Sequence, residues 1–129
     1  MEKSNSMEDR RRSQRKMLDL PIEYRVMDAS YAHGGLVVNA SESGLLVQSV
    51  KSIPIGAKLN IAVLFPKGFE LTHFEVLAEI IWKDLHWEED WEGYQYGLRF
   101  IQVLNHEYWK LKQVLNGQFH PEETQRNYR

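Results

Sequence analysis

The chain has 129 residues, of which 43% are hydrophobic and 26% charged, with a formal net charge of -2 and no cysteine. That length suits one domain able to bury a core without disulfides or a structural metal, and the composition is that of an ordinary soluble globular protein. The missing cysteines exclude thiol nucleophiles and cysteine-based zinc sites, while the small negative charge argues against a general nucleic-acid binder, whose affinity rests on broad neutralisation of phosphates.

Residues 1–9 are polar and without apolar periodicity, and read as disordered. A basic arm follows, Arg10-Arg-Arg-Ser-Gln-Arg15 and Lys16, which places four guanidinium groups within six residues. From Leu20 to Met27 the residues Ile22, Tyr24 and Val26 alternate with Glu23 and Arg25, the period-two pattern of a half-buried strand. Gly34-Gly35 introduces a second strand, Leu36 to Asn39. The polar turn Asn39-Ala-Ser-Glu-Ser-Gly44 then leads into a third, Leu45 to Gln48, so the turn joins two antiparallel strands.

Pro54-Ile-Gly56 marks the next turn, after which Leu59, Ile61, Val63 and Phe65 alternate through a fourth strand ended by Pro66 and Gly68. A fifth strand spans Phe74 to Lys83, an acidic, tryptophan-rich loop covers Asp84 to Gly93, and Tyr94, Tyr96, Leu98 and Phe100 alternate through a sixth. Six short strands without intervening helices predict an all-β, closed or nearly closed antiparallel barrel. One C-terminal α-helix follows, with Asn105 as N-cap, Leu104 and Trp109 as a hydrophobic staple, Tyr108, Leu111 and Leu115 as its apolar stripe and Gly117 as its stop. The expected organisation is a folded domain over 10–118, arm included, and a flexible tail over 119–129. Apolar runs such as Ile61 to Phe65 are strand-sized, and the charged N-terminus lacks a signal-peptide core, so the expected location is the cytoplasm, without membrane insertion.

Two constellations carry chemistry. Arginine presents a planar fork of donors that pairs in bidentate fashion with phosphate oxygens or with the O6/N7 edge of guanine, and it stacks on flat bases. In the turn, Asn39 offers donor and acceptor, Ser41 a hydroxyl, and Gly44 a positive φ and close backbone approach. Each has a plainer reading by itself, a solvated basic tail and a hairpin turn. Together, Arg-x-x-x-Arg at Arg11 and Arg15 followed by Asn-x-Ser-x-x-Gly at Asn39, Ser41 and Gly44 resembles the PilZ family of bacterial receptors for cyclic di-GMP. Tyr96-Gly-Leu-Arg-Phe100 is similar to the last core strand of that family.

The resemblance covers about Arg10 to Gly117 and implies a six-stranded barrel whose N-terminal arginines fold over bound cyclic di-GMP. It implicates Arg10, Arg11 and Arg15 with phosphates and guanine edges, and Asn39, Ser41 and Gly44 with the base. Many members have Asp where this chain has Asn39, which removes a carboxylate partner for guanine but leaves an amide acceptor. Trp82 stands where some members carry a base-stacking aromatic, although it shares strand parity with the core positions Val76, Ala78 and Ile80. The expected function is a cyclic di-GMP receptor or adaptor that signals to an effector protein, without cofactor or metal. A ligand-independent adaptor and a small-barrel single-strand binder are the rivals. Catalysis has no support: the five histidines are scattered, His86-Trp-Glu-Glu-Asp90 reads as a solvated loop, and no nucleophile elbow, P-loop or dinucleotide fingerprint is present.

Overall fold

The computed structural model describes residues 16–88 and 91–116. The expectations placed on Arg10, Arg11, Arg12 and Arg15, and on both ends of the chain, lie outside the described residues. Six strands, β1 (Lys16–Val26), β2 (Ala32–Ala40), β3 (Gly44–Ser49), β4 (Lys58–Lys67), β5 (Glu70–Glu88) and β6 (Trp91–Val103), close into a barrel in the order β1-β2-β3-β6-β5-β4. Every neighbouring pair is antiparallel, and the ring of pairs is closed.

Alternation along the strands fills the interior. Ile22 and Tyr24 on β1, Leu59, Ile61, Val63 and Phe65 on β4, Phe74, Val76, Ala78 and Ile80 on β5, and Tyr96 and Leu98 on β6 are each at most 3% exposed. Burying each larger side chain contributes about 1.5–3 kcal/mol. The two buried tyrosines have partners for their hydroxyls. Tyr24 Oη lies 2.7 Å from Ser49 Oγ. Tyr96 Oη donates to the Lys51 carbonyl at 2.6 Å and accepts from the Ile53 amide at 2.9 Å. Burial pushes both phenols above the ordinary tyrosine value, against the lowering effect of Ser49 on Tyr24 and of the Ile53 amide on Tyr96. These side chains fill the barrel interior, which leaves the outer wall as the surface open to a partner.

Two expectations change. Asp84 to Gly93 is not a loop: β5 and β6 stay paired from Asp84↔Gln95 to Glu88↔Trp91, a hairpin projecting beyond β3, whose own pairing with β6 stops at Ser49↔Tyr94. A two-stranded extension has no core to bury, so its sequence carries no clean alternation. The helix, α1 (Tyr108–Leu115), starts later than the capping pattern predicts. Asn105 is not its N-cap but sits at φ 58° within a 3-10 turn, Leu104–His106, a left-handed position that asparagine tolerates. Leu111 and Val114 are its buried residues. Tyr108 is 54% exposed and Trp109 49%, the latter with the Lys67 ammonium 4.8 Å from its ring centroid.

Candidate functional site

One outward row of residues crosses four strands. The register pairs Asn39 on β2 with Leu46 on β3, Leu46 with Gly97 on β6, and Gly97 with Trp82 on β5. The next row, Ala40, Leu45, Leu98 and Ile80, is buried in the barrel. Around the outward row lies a groove of about 280 Å³, lined by Asn39, Leu46, Ile81, Trp82 and Gly97 with the backbone side of Leu45 and Leu98.

Strict alternation would hide both ends of this row. Counting by twos from Val37, which is fully buried, places Asn39 inside, and counting from the equally buried Ile80 places Trp82 inside. Each strand instead carries one extra residue at that point. The register slips between Val37 and Asn39 on β2 and between Ile80 and Trp82 on β5, so Val38 and Ile81 are bulge residues that turn their successors outward. Trp82 is accordingly 42% exposed, which settles its parity against the core.

Gly97 completes the groove by having no side chain. A Cβ there would run into Nε1, Cε2 and Cδ1 of Trp82, so the indole lies flat over the Gly97 backbone. In the sequence this glycine stands inside a strand pattern, a signal of close approach that the reading of Tyr96 to Phe100 as a core strand passed over. Leu46, Ile81 and Gly97 are site residues that reasoning by motif missed.

The β2–β3 turn closes one end of the row. The Ser41 amide donates to the Gly44 carbonyl at 3.0 Å, and the Ser43 amide donates to Ser41 Oγ at 3.2 Å. Ser41 is fully buried, its Oγ 3.1 Å from Ser43 Oγ, so its hydroxyl holds the shape of the turn. The Ser43 carbonyl accepts from the Phe100 amide at 2.9 Å, pinning the turn to β6. Gly44 does not have a positive φ, contrary to the sequence expectation. Its constraint is the other one foreseen: a Cβ would strike the Leu98 carbonyl oxygen, because β3 and β6 approach closely there.

The structure thus brings Asn39 and Trp82 to one groove and sets Ser41 and Gly44 in the turn at its edge. Strand β1 begins beside it, with Lys16↔Ala40 and Met17↔Asn39. Among the described residues there is no group of three or more histidine, aspartate or glutamate side chains that could hold a metal, and no helix is long and apolar enough to cross a membrane.

Fold and site together define a small closed barrel with an external groove at the root of a basic segment. The chain belongs to the PilZ domain family, whose model matches residues 9–117. Among solved structures, the chain is similar to the inhibitor of motility of Bacillus subtilis, MotI/DgrA, at TM-score 0.66 and 17% identity, over 84% of this chain and 51% of that one. It is similar also to the PilZ domain of Escherichia coli YcgR with c-di-GMP, at TM-score 0.62 and 16% identity, over 93% of this chain and 98% of that one. At these identities the likeness is one of fold, and the chain spans about half the length of the Bacillus protein. No curated protein matches the chain in sequence.

Proposed function

We propose that the chain is a cyclic di-GMP receptor and adaptor that couples binding of the second messenger to an effector protein. The observation that carries this reading is the outward row Asn39, Leu46, Gly97 and Trp82, which puts an amide at one end of a base-sized groove and an exposed indole face at the other. A guanine in the groove stacks on Trp82 and meets Asn39 at its polar edge. Arg10, Arg11 and Arg15 supply phosphate and guanine-edge contacts from the segment that enters β1 beside Asn39, while Ser41 and Gly44 keep the turn in place. The family fit and the likeness to a PilZ domain solved with c-di-GMP support the choice of ligand.

Coupling to the effector follows from charge. Arg10, Arg11, Arg12, Arg15 and Lys16 repel one another, and a dianionic ligand gathers them over the groove, ordering the arm and changing the surface a partner meets. No catalytic step is part of this reading, and the cytoplasm is where such a receptor acts. Calorimetry of the whole chain with cyclic di-GMP, GMP and a single-stranded oligonucleotide tests it. Saturable binding of cyclic di-GMP, with GMP far weaker and the oligonucleotide silent, is the expected result. Absence of cyclic di-GMP binding would leave a ligand-independent adaptor, and preference for the oligonucleotide a single-strand binder.

A further inference from the structure

Beside the row that forms the groove runs a second row, offset by two residues on β3 and β6 and by three on β5, where the bulge adds one. Its members are Gly44 on β3, Arg99 on β6, Glu79 on β5 and Lys58 on β4. Two residues of extended chain span about 7 Å, less than the reach of an extended arginine side chain, so Arg99 stands within reach of the groove floored by Gly97. On one side its cross-strand neighbour is Gly44, the last residue of the motif turn, which has no side chain. On the other side, Arg99 Nη2 pairs with Glu79 Oε1. The Arg99 side chain is 55% exposed even while paired.

We infer that Arg99 is a further ligand-contacting residue of this site, a phosphate clamp that Glu79 holds aside while the groove is empty. The inference rests on the cyclic di-GMP reading above. An exposed ion pair is weak because water and salt screen it, whereas a guanidinium on a phosphodiester oxygen makes charge-assisted hydrogen bonds in a fixed geometry. The exchange therefore runs toward the ligand. Glu79 does not lose all counter-charge when Arg99 leaves, because Lys58 is its direct partner on the opposite strand. A carboxylate in this position also sharpens selectivity: an anion too weakly charged to draw Arg99 away gains nothing from it.

The test is a double-mutant cycle on the whole chain, titrated calorimetrically with cyclic di-GMP, with thermal melting of each variant alongside. Arg99→Ala is expected to weaken binding about ten- to hundredfold, the range of a lost charge-assisted hydrogen bond. Glu79→Gln is expected to tighten it about two- to fivefold, the strength of an exposed pair, with melting unchanged or slightly lower. In the Arg99→Ala background that tightening disappears. A structural ion pair predicts the opposite sign for Glu79→Gln, and simple removal of a nearby negative charge predicts tightening whether or not Arg99 is present. Either pattern overturns the inference. So does wild-type affinity in both single variants. Should Arg99→Ala fold poorly, Arg99→Gln takes its place, since it keeps the stem on the sheet. Loss of binding by the unmodified chain would instead overturn the reading of the site itself, which keeps the two failures apart.

Discussion

Two grooves of similar size lie on opposite walls of this barrel. The first, about 280 Å³, crosses β2, β3, β6 and β5 over Asn39, Leu46, Gly97 and Trp82. The second, about 210 Å³, is lined from β1, β2, β4 and β5 by Glu23, Tyr24, Arg25, Ala32, Asn60, Ala62 and Glu75. In the first, a glycine leaves room for an indole to lie on the strand with its other face exposed. In the second, a small residue also makes the gap, but Glu23 and Glu75 are the cross-strand partners of Ala62 on either side. The second groove's cation is engaged locally, Arg25 Nη1 donating to the Ser30 carbonyl at 3.0 Å. Size therefore does not select a binding groove on a strand wall. What distinguishes the first is an aromatic face over a missing side chain, whereas two carboxylates flank the small residue of the second. On the function proposed above, a flat, doubly charged ligand is expected in the first groove and not in the second.

The comparison breaks most visibly if the arginines proposed to serve the first groove are removed. Arg11→Ala and Arg15→Ala are each expected to weaken cyclic di-GMP binding by about 2–5 kcal/mol, the effect of truncating one partner of a hydrogen-bonded charge pair. Thermal melting should stay near wild type, because both residues precede the alternating apolar pattern that builds the core. Titration curves for both variants that overlay the wild type would remove the arm from the site.

Next in size is the turn that closes the groove. Gly44→Val forces a branched side chain against the Leu98 carbonyl oxygen, a backbone atom that moves only if β3 and β6 separate. A loss on the order of 3 kcal/mol in urea unfolding is expected, at the upper end of overpacking effects. Ser41→Ala, which removes the hydroxyl that accepts the Ser43 amide, should cost about 1 kcal/mol of stability and weaken binding through the turn. A Gly44→Val variant as stable as wild type would show that the strands do not approach as closely as the structure has them.

The barrel was readable from the sequence because its core residues alternate cleanly: Ile22 and Tyr24, Leu59 to Phe65, and Phe74 to Ile80 all point inward as counted. The motif residues were readable as a turn. What alternation could not carry was the face of Asn39 and of Trp82, since a bulge adds a residue without any change in residue type. Val38 and Ile81 are β-branched and apolar like the residues before them, Val37 and Ile80, and only the pairing register reveals them. The Asp84 to Gly93 hairpin escaped for a related reason, as strands with no buried face have no pattern to show. Asn105 misled in the opposite direction, its side chain suited equally to an N-cap and to a left-handed turn.

A smaller effect separates the two parts of the groove floor. Trp82→Ala should weaken cyclic di-GMP binding by about 1–3 kcal/mol through lost base stacking. Gly97→Ala should reproduce most of that loss with the indole still present, because the new methyl occupies the space under the ring and drives it off the groove. Melting should shift little in either case, since the indole is 42% exposed and free to swing outward. Quenching of tryptophan fluorescence by the ligand, present in wild type and reduced in Gly97→Ala, reads the displacement. Full binding by Gly97→Ala would show that ring position over Gly97 is immaterial.

The smallest expected effect belongs to the second groove and sets the baseline for all the others. Glu23→Gln and Glu75→Gln remove its two carboxylates and reverse the feature that makes it unattractive to an anion. If the first groove alone binds, neither change should alter cyclic di-GMP affinity by more than about twofold, the ordinary scatter of surface substitutions near 0.5 kcal/mol. The charges cannot act from a distance either. Opposite walls of a packed β-structure stand about 10 Å apart, and the Debye length at physiological ionic strength is about 8 Å, so exposed charges on the far wall are largely screened from the ligand. Repeating the titration at low salt lengthens that range and gives the prediction its own control: a small gain in affinity should emerge there and vanish at physiological salt. A gain that persists at physiological salt, or a second binding event in the Glu23→Gln and Glu75→Gln variants, would mean that the carboxylates of the second groove, rather than its lack of an aromatic floor, are what keep the ligand out.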